Sequence, residues 1–341
     1  ACLMSDLFNR SIQIIERNQA ESGAYFACPG FPNYRFSWLR DGAFIAYAMD
    51  RVGRHESASR FYRWVGKTID RYSWKVDQIE EHVRSGKRIQ DGDFLHTRYT
   101  VEGDEVPVES GWGNFQVDGY GTWLWGLAEH VQLTGERRIV SDLQESIRTT
   151  VRYLDLVWML PGYDCWEEYP ECVHTYSLSA VFGGLVQLES LFPAGIPGFR
   201  RGHLSELVER VRAYILGTMV LDGRLKKMVP LGKADPETEC TAEGVDASLL
   251  GAAVPYAVFD PDDLILGGTV EAIREELRRP GGGVYRYTGD TYYGGGEWIL
   301  LAAWLGWVLA RSGEIEEAEG LRKWIESQAA QNGDLPEQVS S

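Results

Sequence analysis

The chain of 341 residues is poor in cysteine, histidine and methionine, with five, six and five of each. The cysteines (Cys2, Cys28, Cys165, Cys172, Cys240) are odd in number and form no Cys-x-x-Cys pair, which points to reduced thiols. Cys165 and Cys172 stand close enough to bridge in an oxidising setting. No His/Cys cluster has metal-ligand spacing and His-Glu-x-x-His is absent, so neither a metal nor another cofactor is expected. The chain also lacks a Gly-x-Gly-x-x-Gly turn after a strand, a P-loop and a Gly-x-Ser-x-Gly elbow, which removes the support for nucleotide binding or serine hydrolase chemistry. No apolar run reaches 18 residues, so no membrane span is expected. The start carries no basic region followed by an apolar core, so the expectation is a cytoplasmic protein, with a secreted mature chain left open. Positive charge is short: 34 Lys and Arg stand against 50 Asp and Glu, a net charge of −16. That disfavours nucleic acid and anionic membranes as partners and favours a neutral or cationic ligand.

What the chain does have is apolar and aromatic mass, 44% and 12% of residues, enough for a large core. Helical periodicity dominates and predicts helices near 4–19, 41–53, 55–85, 118–134, 137–159, 175–191, 201–218, 245–258, 261–279, 295–311 and 314–331. Ile45 to Met49 and Trp298 to Trp304 are apolar nearly all round, as inner helices would be, whereas 55–85 and 314–331 carry charge on one face and suit an outer layer. Short β-prone pieces fall at 24–28, 34–38 and 94–100, the last before Glu102-Gly103-Asp104, a plausible hairpin turn. The alternation suggests a single all-α domain over 1–341, closed as an α/α toroid. Six hairpins need twelve helices, and eleven are predicted.

Two acidic segments stand out, Tyr163-Asp164-Cys165-Trp166-Glu167-Glu168 and Leu335-Pro336-Glu337-Gln338-Val339. Cleaving a glycosidic bond takes two carboxyl groups, one to protonate the leaving oxygen and one to activate water or attack carbon. Aromatic faces suit the C–H faces of a sugar, and each segment sets a carboxylate beside ring or kink residues in a chain crowded with Trp and Tyr. Arg40 and Asp41, following Tyr34 and Trp38, offer a donor fork beside an acceptor; the plainer reading makes Asp41 the cap of the next helix. Glycines bracket Trp112 in Gly111-Trp112-Gly113, so its ring can project from a loop. Val284 to Gly296 packs Arg286, Tyr287, Tyr292 and Tyr293 among glycines, as a binding loop would. His174 is expected to be structural.

In order and spacing these segments resemble glycoside hydrolase family 15, which includes glucoamylases, glucodextranases, isomaltose glucohydrolases and some trehalases. Tyr34-Arg35-Phe36-Ser37-Trp38-Leu39-Arg40-Asp41 is similar to the family's Tyr-x-x-x-Trp-x-Arg-Asp segment, whose Arg and Asp grip the terminal glucose. Trp112 and Asp118 fall in its Trp-Gly-x-x-Gln-x-Asp-Gly segment. Asp164-Cys165-Trp166-Glu167-Glu168 resembles Asp-Leu-Trp-Glu-Glu, in which the first Glu is the general acid and the second binds sugar; Cys165 stands where Leu is common. Arg286-Tyr287-x-x-Asp290-Thr291-Tyr292 looks like the loop whose Arg reaches across the cleaved bond, and Leu335-Pro336-Glu337-Gln338 like the general-base segment of prokaryotic members.

The resemblance implies an (α/α)6 barrel and an inverting exo-hydrolase that releases β-glucose from the non-reducing end of short α-glucosides. Isomalto- or malto-oligosaccharides are the expected partners. Glu167 would be the acid and Glu337 the base, roughly 6.5–9.5 Å apart, with Glu167 kept protonated by burial beside Trp166 and the charge of Glu168. Tyr34, Trp38, Trp112 and Tyr292 would form the apolar walls. Arg40, Asp41 and Arg286 would hold the terminal glucose, and Glu168, beside Trp166, would bridge toward the aglycone. Family members continue past the base through a final helix, so the resemblance also implies that the last helix is missing here, the chain being either truncated or one that has lost its tail. An open toroid would expose apolar helix faces. The rival readings are a phosphorylase on a similar barrel and a sugar-binding relic without catalysis.

Overall fold

The computed structural model describes residues 2–107, 112–231 and 244–340, with side chains from residue 6 onward. Gly111 and Cys240, singled out above, lie outside the described residues, and so does the side chain of Cys2. The inner layer runs through α2 (Leu39–Arg51), α5 (Asp118–Thr134), α8 (Thr175–Leu191), a 3-10 helix over Ala247–Ala252, and α11 (Ile299–Arg311). Around it lie α3 (His55–Arg71), α7 (Gln144–Val157), α9 (His203–Thr218), α10 (Leu264–Glu276) and α12 (Ile315–Ser327). The remaining helices are α1 (Cys2–Arg17), α4 (Ser73–Ser85) and the short α6 (Arg138–Asp142).

Periodicity explains the layers. On α3, Phe61, Tyr62, Val65 and Ile69 fall on one buried stripe while Arg60, Lys67 and Arg71 face water. α5 and α8 have no polar stripe and are buried along most of their length. Each fully buried Leu or aromatic there contributes about 1.5–3 kcal/mol. The two helices meet at glycines: a Cβ on Gly121 would lie 2.2 Å from the Ala180 carbonyl oxygen, and one on Gly184 would lie 2.2 Å from that of Gly121. Alanine at either position would force the helices apart and open the core.

The predicted bounds of α5 and α8 coincide with the observed ones, but three other predictions change. The helix expected over 55–85 breaks at Tyr72, whose ring stacks on Tyr99 at 5.8 Å and whose hydroxyl accepts the Glu105 N–H at 3.1 Å. The helix expected over 137–159 breaks at Leu143, which is buried against Gly66. The one expected over 245–258 shrinks to the 3-10 helix, since Pro255 has no N–H and restricts Val254 before it.

Short antiparallel strand pairs join the layers: β1 (Ser37–Trp38) with β2 (Arg98–Tyr99), β3 (Cys172–His174) with β6 (Met228–Pro230), β4 (Val220–Leu221) with β5 (Arg224–Leu225), and β7 (Gly296–Trp298) with β8 (Gln338–Ser340). The expected strand at 24–28 reduces to one bridge, Gln19 to Tyr25. The turn expected at 102–104 forms, with the Gly103 N–H bonded to the Thr100 carbonyl.

No sixth inner helix occurs among the described residues. The expected all-round cover of Ile45–Met49 and Trp298–Trp304 is not met: Ala48, Leu300 and Ala303 are exposed. Across that side α2 and α11 meet through aromatic contacts, Tyr47 with Trp307 at 5.9 Å and Phe44 with Trp304 at 6.4 Å. The reduced-thiol expectation also fails in part. Cys172 is disulfide-bonded, while Cys28 and Cys165 are free, so Cys165 is not its partner. No helix among the described residues is long and apolar enough to cross a membrane.

Candidate active site

The segments that enter the inner helices carry the residues of interest, at the ends where unpaired N–H groups favour carboxylates. Arg40 and Asp41 lie in the first turn of α2, Asp118 opens α5, and Asp246 caps the 3-10 helix by accepting the Ser248 N–H at 2.8 Å. Asp41 is not the cap of α2; Trp38 holds that position in extended backbone. Gly113 lets the chain pass the Tyr163 ring, where a Cβ would come within 2.1 Å.

Glu167 sits at the tip of a tight turn with φ +65°, a left-handed backbone rare outside glycine. Asp164 folds that turn: its Oδ1 accepts the N–H groups of Trp166 and Glu168, both at 2.9 Å. Three donors converge on the Glu167 carboxylate. Trp38 Nε1 at 2.7 Å and Gln116 Nε2 at 2.8 Å donate to Oε1, and Trp112 Nε1 donates to Oε2. Trp38, Trp112 and Tyr34 form one aromatic cluster with centroids 5.6–6.1 Å apart. The expected neighbours of Glu167 turn elsewhere. The Trp166 indole N–H donates to Asp246 at 3.1 Å, and Glu168 accepts the Tyr287 hydroxyl at 2.8 Å. The physical reason is the left-handed turn, which points successive side chains in different directions.

Gln116 and Asp118 link this carboxylate to Arg40. Arg40 Nη1 donates to Gln116 Oε1 and to Asp118 Oδ2, each at 3.0 Å, and its Nε lies 3.4 Å from Asp41. Burial opposes the Arg40 charge, but Asp118 and then Asp41 hold it above the ordinary arginine range. Asp41 keeps 37% of its side chain accessible although protein surrounds it, as a group on the floor of a hollow does. Lost hydration raises its carboxyl, Arg40 pulls it back, and the charges of Glu167 and Asp118 add to the rise.

Glu337 belongs to the same electrostatic neighbourhood. Its side chain is open to solvent, yet the protein packed around it costs hydration; that effect and the charge of Asp41 raise its carboxyl, against the pull of Arg286. Asp41 therefore acts on both glutamates. Tyr292 closes the arrangement, since its hydroxyl shares a 2.7 Å hydrogen bond with that of Tyr34 and its ring stacks on Trp298 at 6.1 Å.

Arg286, expected to hold the terminal glucose, is tied to its own loop. Its side chain is 3% accessible, its fork is bound to Asp290 at 2.6 and 2.7 Å, and it lies over the rings of Trp166, Tyr292 and Trp298. Burial opposes its charge, while Asp290 and Glu168 drive it up. It braces Glu168, 3.5 Å away, and the aromatic wall.

Arg98, Lys227 and Asp246 were not legible as site residues. Arg98 lies over the faces of Trp112 at 4.5 Å and Trp38 at 5.3 Å. Burial lowers its proton affinity, and the charges of Glu167 and Tyr34 restore part of it. A buried cation on a β-prone piece leaves no periodic trace, so only the β1–β2 pairing reveals it. Among the described residues no group of three His, Cys, Asp or Glu could hold a metal. A separate hollow of about 220 Å³, bordered by Phe192, Ile196, Phe199 and His203, shares none of these residues.

Residues 5–331 match the family described as Glycosyl hydrolases family 15. An isomaltose glucohydrolase of Kribbella flavida is 37% identical over 340 residues, covering 98% of this chain and 83% of that protein. A glycosidase variant in complex with glucose superposes with a TM-score of 0.89 at 35% identity, over 99% of this chain and 87% of that one. A bacterial glucoamylase complexed with acarbose shares the fold, with a TM-score of 0.74 at 18% identity over 98% of this chain and 51% of that one. With carboxylates gathered at the entrances of an (α/α)6-type helical core, the chain belongs to glycosyl hydrolase family 15 and is a glycoside hydrolase.

Proposed function

We propose that the protein is an exo-acting α-glucosidase that hydrolyses short α-glucosides, isomaltose foremost, with inversion at the anomeric carbon. The observation that carries this is Asp41, paired with Arg40 and close enough in charge to feel Glu167 and to raise Glu337, which supports both glutamates and the Arg40–Asp41 pair facing one substrate. The likeness to an isomaltose glucohydrolase over nearly the whole chain supports the substrate class.

Glu167 gives its proton to the glycosidic oxygen as the bond from C1 breaks. Glu337 takes a proton from the water whose oxygen bonds to C1 on the opposite face. The two glutamates then exchange protonation state with solvent before the next turnover. Trp38, Gln116 and Trp112 hold Glu167 in place and are aimed to stabilise the carboxylate left after proton transfer, the kind of preorganised donor set that lowers a barrier. Asp41 and Arg40 bind hydroxyls of the terminal glucose, and Tyr34, Trp38, Trp112 and Tyr292 supply ring faces. Glu168 and Trp166 serve the leaving sugar, Trp166 packing at 5.8 Å on the Trp298 ring that also stacks on Tyr292.

NMR of hydrolysis on isomaltose, maltose and trehalose tests this directly. β-Glucose should appear first, and fastest from isomaltose. α-Glucose appearing first would overturn inversion, and release that requires phosphate would overturn hydrolysis.

A further inference from the structure

Lys227 lies between β5 and β6 with 7% of its side chain accessible, in a chain region with no motif of its own. Its Nζ is 2.9 Å from Asp246 Oδ2 and 3.4 Å from Asp164 Oδ2. Each carboxylate gives its other oxygen to the turn that carries Glu167. Asp164 Oδ1 accepts the N–H groups on either side of Glu167, and Asp246 Oδ1 accepts the Trp166 indole N–H. The ammonium also lies over the rings of Tyr287 at 4.3 Å and Tyr169 at 4.9 Å. Tyr287 donates to Glu168 and Tyr169 follows it in sequence, so one cation touches both flanks of the acidic turn.

We propose that Lys227 is a positioning residue for the reaction: clamped between Asp164 and Asp246, it locks the turn that aims Glu167 into the hollow. This rests on Glu167 as the proton donor. A buried ammonium is costly unless paired, and two buried carboxylates facing each other are costly unless a cation separates them. The turn needs that separation because Glu167 and Tyr169 both hold positive φ, at 65° and 50°, which surrounding structure must enforce. The other charged groups near Lys227 are Glu168 and, beyond it, Arg286. His174, pushed down to about 4 by burial and by Lys227, is neutral there. Burial, with Asp246 adding to it, raises Asp164 to about 6 even against the pull of Lys227. Without the ammonium Asp164 would take up a proton more readily, and a protonated carboxyl is a poorer acceptor for the two N–H groups that fold the turn.

The test uses the full chain and three variants. Lys227→Met alone leaves two unpaired buried carboxylates and is prone to misfolding. Lys227→Met with Asp246→Asn keeps the cluster at −1, since one carboxylate and no cation replace two carboxylates and one cation. Lys227→Arg keeps the charge. In the double variant kcat on isomaltose should fall about 10²-fold, the cost of misplacing a catalytic group by an ångström. Glucose inhibition and urea midpoint should change little, and the acid limb of kcat/KM should move to higher pH. Lys227→Arg should recover part of kcat. A double variant within about twofold of wild-type kcat with an unmoved acid limb would overturn the proposal, as would a kcat loss matched by equal loss of glucose binding. Glu167→Gln run alongside separates the failures: if it turns over like wild type, the proton-donor assignment falls irrespective of Lys227.

Discussion

The two halves of the site are built in opposite ways. Glu167 is clasped by three N–H donors on a left-handed turn, over buried ion pairs that tie it to residues 60–80 positions away in sequence. Glu337 sits at the entry to an edge strand, open to solvent, held by its carbonyl on the Ile299 N–H at 3.2 Å and by the β7–β8 pairing that follows. A group that must deliver a proton to one oxygen gains from a fixed aim. A group that activates water needs room for that water, and an accessible face leaves it. On the proposed roles, preorganisation goes to the acid, Glu167, while the base, Glu337, is tuned first by lost hydration and then by the charge of Asp41.

Mutation can break that contrast. Glu167→Gln and Glu337→Gln should each lower kcat on isomaltose by about 10²–10⁴-fold, measured as glucose release. If Glu337→Gln retains wild-type turnover while Glu167→Gln does not, the two-carboxyl comparison collapses. A smaller loss is expected from Trp112→Phe, which keeps a ring but deletes one donor on Glu167. Its kcat should drop about tenfold, the worth of one charge-assisted hydrogen bond, whereas an unchanged kcat would make the clasp ornamental.

Charge tuning of the base is sharpened by Asp41→Asn. Lost hydration and Asp41 raise Glu337, so a higher pH is needed to ionise it and activity should fall as pH drops through that raised value. Removing the Asp41 charge should move the acid limb of kcat/KM to lower pH, whatever happens to KM. A limb moving upward would exclude Glu337 as the group that must be ionised. The smallest effect belongs to the anchoring of the base. Gln338 Nε2 donates to the Tyr292 carbonyl at 3.3 Å, and Gln338→Ala should cost about 0.5–1.5 kcal/mol in urea unfolding, with kcat nearly intact. A loss of kcat as large as that of Trp112→Phe would mean the base is as rigidly held as the acid.

Much of the molecule was legible in the chain. α5 and α8 were readable to the residue, with an apolar pattern nearly all round. Of the candidate site, the residues given roles in the proposed reaction were legible because short motifs carry them. What was not legible is what holds them. Tyr72 ends a helix where Tyr99 and Glu105 meet it, and Arg286 is held by Asp290.

The sequence by itself determined most of the helical segments, the motifs that carry the carboxylates and rings, and the family those motifs resemble, because these are local patterns. The tertiary structure alone decided that Glu167 faces Trp38, Gln116 and Trp112, that Asp41 influences both glutamates, and that Lys227 lies beneath the turn. Those outcomes depend on which distant elements pack together, and the balance of desolvation against pairing that results has no signature in neighbouring residues.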